Sequence, residues 1–179
     1  AMPDPAGNAS ELLDSLGRAP LPPYILKARR SRGELIDEAS DRQWYRTLFA
    51  RSDRVGSVAA PTAGLHLTDE LLGRIDQRGV QQAAVTLHVG EGTFRPVTTS
   101  RLEDHRMHAE SWLVESDALA AIRSGPGSDG RLVAVGTTTT RLLESLPDYL
   151  PEGPLCGSTD LLIAPGYTFR RVEGLLTNF

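Results

Sequence analysis

Apolar and polar positions along this 179-residue chain change period several times, and the changes mark out its elements. Between Ala83 and Gly90 they alternate: Val85, Leu87 and Val89 fall on one face of an extended segment, Thr86 and His88 on the other. A helix is predicted to open at Thr68, with Asp69 and Glu70 in its first turn, and to stop at Gly79. Further strands are expected at Val55–Thr62, Ser111–Glu115, Leu132–Gly136 and, last, Leu161–Ala164. Helices are expected from Ser116 or Asp117 to Ser124, with GPGSDG as exit loop, and through Arg141–Leu146. Before these, Ser10 to Gly17 reads as a short capped helix, and Pro20 to Tyr24 as an extended segment. Residues 27–39 are charged and aperiodic and read as a mobile loop. Ser40 with Gln43 forms a capping box for a helix on which Trp44 and Leu48, and Tyr45 and Phe49, pair at i,i+4 and pack inward. Strands alternating with short helices predict an α/β fold with a mainly parallel sheet, open or barrel-like, and helices packed outside.

The ends of two of these strands carry histidines. AAPTAGLH (59–66) ends on His66 and AAVTLHVGEGTF (83–94) holds His88, each among glycines. In parallel sheets, ligands bind at the carboxyl ends of strands. The other two histidines, His105 and His108, follow in EDHRMHAE, so all four lie in one third of the chain. One lone histidine on a strand is most simply a hydrogen-bonded core residue. The cluster, together with Gly90-Glu91-Gly92-Thr93 directly after His88, points instead to an active-site wall. There Glu91 can accept or orient a proton and the glycines allow close approach to a ligand. His66, His88 and Glu91 are the candidate catalytic groups.

AVGTTTTRLLES (134–145) is a strand entering a helix through four threonines. Free N–H groups and hydroxyls of Thr137, Thr138 and Thr139, with Arg141 and Glu144 in the following turns, suit an anion or a ribose. Ordinary capping by Thr139 or Thr140 fits the spacing equally well. The run lacks the lysine of a phosphate-binding P-loop, and no GxGxxG occurs. His105 and His108, with Asp104 and Glu110, could hold a metal in a turn. With no HExxH pattern and no second cluster, contacts to a polar substrate fit better, and no metal is expected. After the last predicted strand, Tyr167 or Phe169 of PGYTF could stack on a base or pack in the core.

Composition narrows the field. The chain is 40% hydrophobic, about one domain's worth, with a net charge of −4 and a pI near 5.6. Broad nucleic-acid binding through bulk charge is disfavoured, leaving Lys27, Arg29, Arg30 and Arg32 as a local basic patch or a solvated loop. Cys156 stands alone, so no disulfide framework or multi-cysteine zinc site can form. Without a leader or an apolar run near 18 residues, a soluble cytoplasmic protein with no membrane contact is expected. Ala1 before Met2 reads as an expression scar.

LPPYI (21–25), GSVAAPTAGLH (56–66), VTLHVGEGTFRPV (85–97), HRMHAE (105–110), AVGTTTTRLLES (134–145) and the PGY…LLTNF ending are long, unusual motifs. Together they resemble those of the S-adenosylmethionine:tRNA ribosyltransferase-isomerases of queuosine biosynthesis, from about residue 10 onward. The family's histidine motifs align on His66, His88, His105 and His108. The resemblance implies transfer of the ribosyl part of S-adenosylmethionine to 7-aminomethyl-7-deazaguanine at the wobble position of tRNA. Rearrangement to an epoxycyclopentane then gives epoxyqueuosine, with release of adenine and methionine. S-adenosylmethionine is thereby a consumed substrate, with no separate cofactor. A base must remove a proton next to the sulfonium and an acid must protonate departing adenine, roles that suit histidine. Thr62, Gly64, Thr86, Gly90, Gly92, Thr93, His105, His108, Glu110, Thr137, Thr138, Thr139 and Arg141 are the expected binding residues, and a monomer is expected.

The family's larger protein has further sequence before LPPYI, including a small inserted β-barrel, that is not found in these residues. The chain ends at Asn178-Phe179 where the family continues, and has GTTTTR for GTTSVR. Residues 1–9 are accordingly expected to be a disordered N-terminus and 10–179 a partial α/β catalytic domain. Two other readings stay open: a non-catalytic S-adenosylmethionine- or tRNA-binding remnant, and a metal-dependent hydrolase using His105 and His108.

Overall fold

The computed structural model describes residues 16–35, 37–54, 56–57, 59–90, 108–125 and 130–178. The chain divides into two compact units, residues 1–46 and 47–179.

In the first unit, α1 (Pro23–Arg32) starts behind Pro22, with Pro23 at its first position, where a missing N–H costs nothing. It ends on Gly33 at φ 65°, whose N–H returns to the last turn. Arg29, Arg30 and Arg32 sit in that last turn, where cations suit the helix dipole. The loop expected at 27–39 is therefore corrected: its first part is helix, and Tyr24 lies inside it. Asp37, not Ser40, caps α2 (Glu38–Trp44), accepting from the Ser40 N–H at 3.2 Å and the Ser40 hydroxyl at 2.6 Å. The α2 helix ends at Trp44, so Trp44–Leu48 and Tyr45–Phe49 are not helical pairs. Trp44, Leu48 and Phe49 are exposed, and Tyr45 alone of the four is buried. The Arg29 guanidinium clasps the buried Asp41 carboxylate through both oxygens and holds its pKa below the ordinary value.

The second unit carries the other elements. Of the strand expected at Val55–Thr62, the described residues 56–57 and 59–62 form none: Thr62–Gly64 is a 3₁₀ turn behind Pro61, and Gly56 has φ 141°. Helix α3 (Asp69–Asp76) is capped as expected, with the Leu71 N–H on the Thr68 hydroxyl at 3.2 Å. Strand β1 (Thr86–Leu87) pairs antiparallel with β2 (Glu110–Val114), and β2 pairs antiparallel with β4 (Leu155–Thr159). Between β2 and β4 in the chain come α4 (Ser116–Ser124), β3 (Val133–Val135) and α5 (Thr137–Ser145). Parallel pairing occurs, among the described residues, between β3 and β5 (Gly174–Leu176).

The architecture is mixed α/β, and the expectation of a mainly parallel sheet is not met among the described residues. Strand–helix alternation requires long connections, but it does not dictate which strands become neighbours. Leu161–Ala164 is not the last strand either. Its backbone is used elsewhere: the Leu161 N–H donates to the Thr159 hydroxyl and its carbonyl accepts from Arg141.

Strand β2 alternates as a half-buried strand should, turning Glu110, Trp112 and Val114 inward and Ser111 outward. Trp112 and Val114 join Ala118, Leu119, Ala134, Leu142, Leu143, Leu146, Leu150 and Val172 in one core. Val85 and Leu87, the predicted apolar face, pack against it. Gly157, opposite Trp112 on β4, is dictated by close approach: a Cβ there would lie 2.6 Å from the indole. No described helix is long and apolar enough to cross a membrane.

Candidate active site

The 56–66 segment joins two of the motifs singled out in the sequence. At its start, Gly56 approaches the His88 imidazole so closely that a Cβ would stand 3.0 Å from Nδ1. The Ser57 hydroxyl accepts from the Val89 N–H at 3.3 Å and donates to the Ala59 carbonyl at 2.9 Å. His88 is itself half-buried just past β1, and its backbone N–H donates to the Ser111 carbonyl at 2.9 Å.

At its far end, the 3₁₀ turn meets the carboxyl ends of the parallel pair. Gly136, between β3 and α5, has φ 96°, and a Cβ there would lie 3.6 Å from that of Ala63. The Gly136 N–H donates to the Leu176 carbonyl at 2.9 Å, and the Asn178 amide donates to the Thr62 carbonyl at 2.9 Å. The Thr62–Gly64 turn, the start of α5 and the end of β5 thus converge. Gly64 is fixed by Phe49, whose ring would lie 2.7 Å from a Cβ. His66 follows the turn and is exposed.

The threonines divide their work. Gly136 occupies the cap position of α5 with no side-chain cap, so capping by Thr139 or Thr140 is not what the structure shows. The Thr139 hydroxyl donates to the Val135 carbonyl at 2.8 Å and that of Thr140 to the Gly136 carbonyl at 3.1 Å. Thr137 is exposed and Thr138 half-buried at the helix start, where the first N–H groups lack intrahelical acceptors.

Arg141 and Glu110 meet each other. Arg141 donates from Nη1 to Glu110 Oε2 at 2.8 Å and from Nε to the Leu161 carbonyl at 2.9 Å; Glu110 is buried and Arg141 half-buried. Its Nη2 is buried with no partner among the described residues. His108 is exposed two residues before β2, Thr86 is half-buried on β1, and Gly90 is exposed. Glu91, Gly92, Thr93 and His105 lie outside the described residues, as does Asp104. Among the described residues, no three of His, Cys, Asp and Glu are grouped to hold a metal.

Glu144 is expected from the sequence in the opening turns of its helix. In the structure it stands in the last turn of α5, buried, and its carboxylate takes four donors. These are the N–H groups of Arg170 (2.8 Å), Arg171 (2.9 Å) and Val172 (2.9 Å), and the Tyr167 hydroxyl (3.1 Å). Burial pushes the Glu144 pKa up, but these donors outweigh it and hold the pKa below its ordinary value. Burial, then the Glu144 hydrogen bond, raises that of Tyr167. Its helical neighbours at i−3 and i−4, Arg141 and Thr140, are polar, so the local pattern gives no sign that it turns inward.

The second unit is thus a mixed α/β domain with strand ends, a 3₁₀ turn and an open helix start gathered on glycines. Residues 4–179 match the family model described as queuosine biosynthesis protein, and the chain belongs to that family. It is 47% identical over 171 residues to the S-adenosylmethionine:tRNA ribosyltransferase-isomerase of Erythrobacter litoralis, covering 94% of this chain and 46% of that protein. The chain spans about half the length of the curated relative it matches. The crystal structure of S-adenosylmethionine tRNA ribosyltransferase from Thermotoga maritima is 37% identical, with a TM-score of 0.47, covering 63% of this chain and 34% of that one.

Proposed function

We propose that the protein transfers and isomerises the ribosyl moiety of S-adenosylmethionine onto 7-aminomethyl-7-deazaguanine at the wobble position of tRNA, giving epoxyqueuosine-tRNA. The observation that carries this reading is the family match over nearly the whole chain. The gathering of Thr62–Gly64, Gly136 and Asn178 at one end of the β3–β5 pair supports it. Residues 10–179 then supply part of an α/β catalytic domain acting as a cytoplasmic monomer.

In this reading S-adenosylmethionine lies along the 56–66 segment. The open N–H groups of Thr137, Thr138 and Thr139 face its ribose hydroxyls or carboxylate. Thr62, Gly64, Thr86 and Gly90 line the close approach, with Gly92, Thr93, His105 and His108 completing it. Glu110 and Arg141 shape the wall. His66 and His88, assisted by Glu91, supply the base that takes the proton beside the sulfonium and the acid that protonates adenine as it leaves. The amine of the modified base bonds to the ribosyl carbon and gives up a proton, and methionine departs as the thioether with the electron pair of the broken C–S bond.

The test is incubation with S-adenosylmethionine and tRNA bearing the aminomethyl base, following free adenine and methionine. Release of both, dependent on that tRNA, is expected. S-adenosylmethionine binding without adenine release would instead identify a binding remnant.

A further inference from the structure

The loop between Pro165 and Val172 is held with unusual firmness for an exposed segment. Three successive backbone N–H groups and a tyrosine hydroxyl converge on the one buried carboxylate of Glu144. The anchored Tyr167 ring in turn carries Phe169, edge-on, with centroids 5.3 Å apart and planes at 77°. Yet Phe169 does not bury itself; 47% of it is exposed. Beside it, Arg170 donates to the Leu146 carbonyl at 3.0 Å and lies 3.3 Å from Asp148, which is itself almost wholly exposed. Such a surface pair is worth little and is readily exchanged for another anion. Tyr149, next to Asp148, is also strongly exposed.

A rigid aromatic face beside an accessible guanidinium is the chemistry that receives an unstacked base and its phosphate. We propose that residues 167–170 form an RNA-contacting surface, with Phe169 stacking on a splayed base and Arg170 meeting the adjoining phosphate. Glu144 is a positioning residue that holds this surface in its binding conformation before RNA arrives, so little ordering remains to be done on binding. This rests on the reading that a tRNA is the substrate.

The experiment measures binding of a fluorescent anticodon stem-loop RNA across a salt series, with S-adenosylmethionine thermal shift as a check on the fold. Phe169→Ala is expected to weaken RNA binding by about 5- to 150-fold, the range for loss of one stacked base. Phe169→Trp retains binding. Phe169→Leu keeps the bulk but not the π face, and is expected to bind as weakly as the alanine variant. Arg170→Gln lowers the salt slope by somewhat under one. A Phe169→Leu protein that binds RNA like the parent would overturn the stacking surface while leaving the tRNA reading intact. A parent protein that binds no RNA at any salt would overturn both.

Discussion

Arg141 and Glu110 are joined by a 2.8 Å hydrogen bond between a half-buried guanidinium and a buried carboxylate, linking the first residue of β2 to the middle of α5. Because Arg141 also holds the Leu161 carbonyl, one guanidinium ties the start of β2, the threonine helix and the segment after β4. Removing the Glu110 carboxylate takes the acid from a largely enclosed guanidinium, and removing Arg141 takes a charge-assisted bond from a buried carboxylate. Glu110→Ala or Arg141→Ala alone is expected to cost about 3 kcal/mol. The double variant should cost clearly less than the sum of the two. Urea unfolding of all four proteins measures the coupling, and strict additivity would show that the pair contributes no mutual energy.

The Glu144 carboxylate gives stability its own acid dependence. Its folded pKa is below its ordinary value of 4.5, so the folded state favours the charged form. The contribution is fully present above that ordinary value and is lost as pH falls through the lower folded-state value. Glu144→Gln should therefore destabilise the protein at neutral pH by about 2 kcal/mol, through donors left without a charged acceptor. It should also flatten the stability curve below pH 4.5. Thermal melts across the acid range check both, and parallel curves for parent and variant would place the acid transition on other groups.

His88 and His66 sit differently, and their alanine variants should separate chemistry from fold. The His88 backbone bond to Ser111 survives truncation of the side chain, and His66 is exposed. Each variant should melt close to the parent while turnover falls by about 10²–10⁴, the usual effect of losing a general acid or base. If turnover falls only in step with the folded fraction, the imidazole is structural.

The parts of this fold that were legible in the sequence are those governed by local chemistry. Thr68 with its acidic first turn, the helix at 116–124 and the inward parity of Val85 and Leu87 all follow from capping and period. The Pro22-Pro23 and Gly33 punctuation of α1 was also present, but a charged run with little apolar periodicity masked it. Strand β4 was missed because LCGST shows no apolar alternation, and β5 because GLL is only three residues long; both lean on neighbours far along the chain. Their pairing is decided by Trp112 over Gly157 and by Gly136 on Leu176. At the site, the glycines and threonines were legible as a class. That Arg141 would turn to Glu110, and Glu144 to a loop some 25 residues on, depends on tertiary packing that no local pattern encodes.

The basic run on α1 is the last place where the structure changes an expectation into a sharper one. Lys27, Arg29, Arg30 and Arg32 looked like four equivalent charges on a loop. They are helical, and Arg29 is committed to Asp41 through both carboxylate oxygens. Lys27 and Arg30 are exposed, and Arg32 has only a 3.7 Å surface contact with Glu34. Two kinds of effect are therefore expected. Arg29→Ala should destabilise the protein, since it leaves the buried Asp41 without its cation, and should do so at any salt concentration compatible with folding. Neutralising Lys27, Arg30 and Arg32 should leave the melting temperature nearly unchanged. If the helix meets the tRNA backbone, each lost contact should lower the salt slope of RNA binding by about 0.7–0.9. Anisotropy titrations at several salt concentrations, run beside melts of the same variants, distinguish the two. An unchanged slope in the triple variant would assign the phosphate contacts to other surfaces, with the Phe169–Arg170 loop the first to examine.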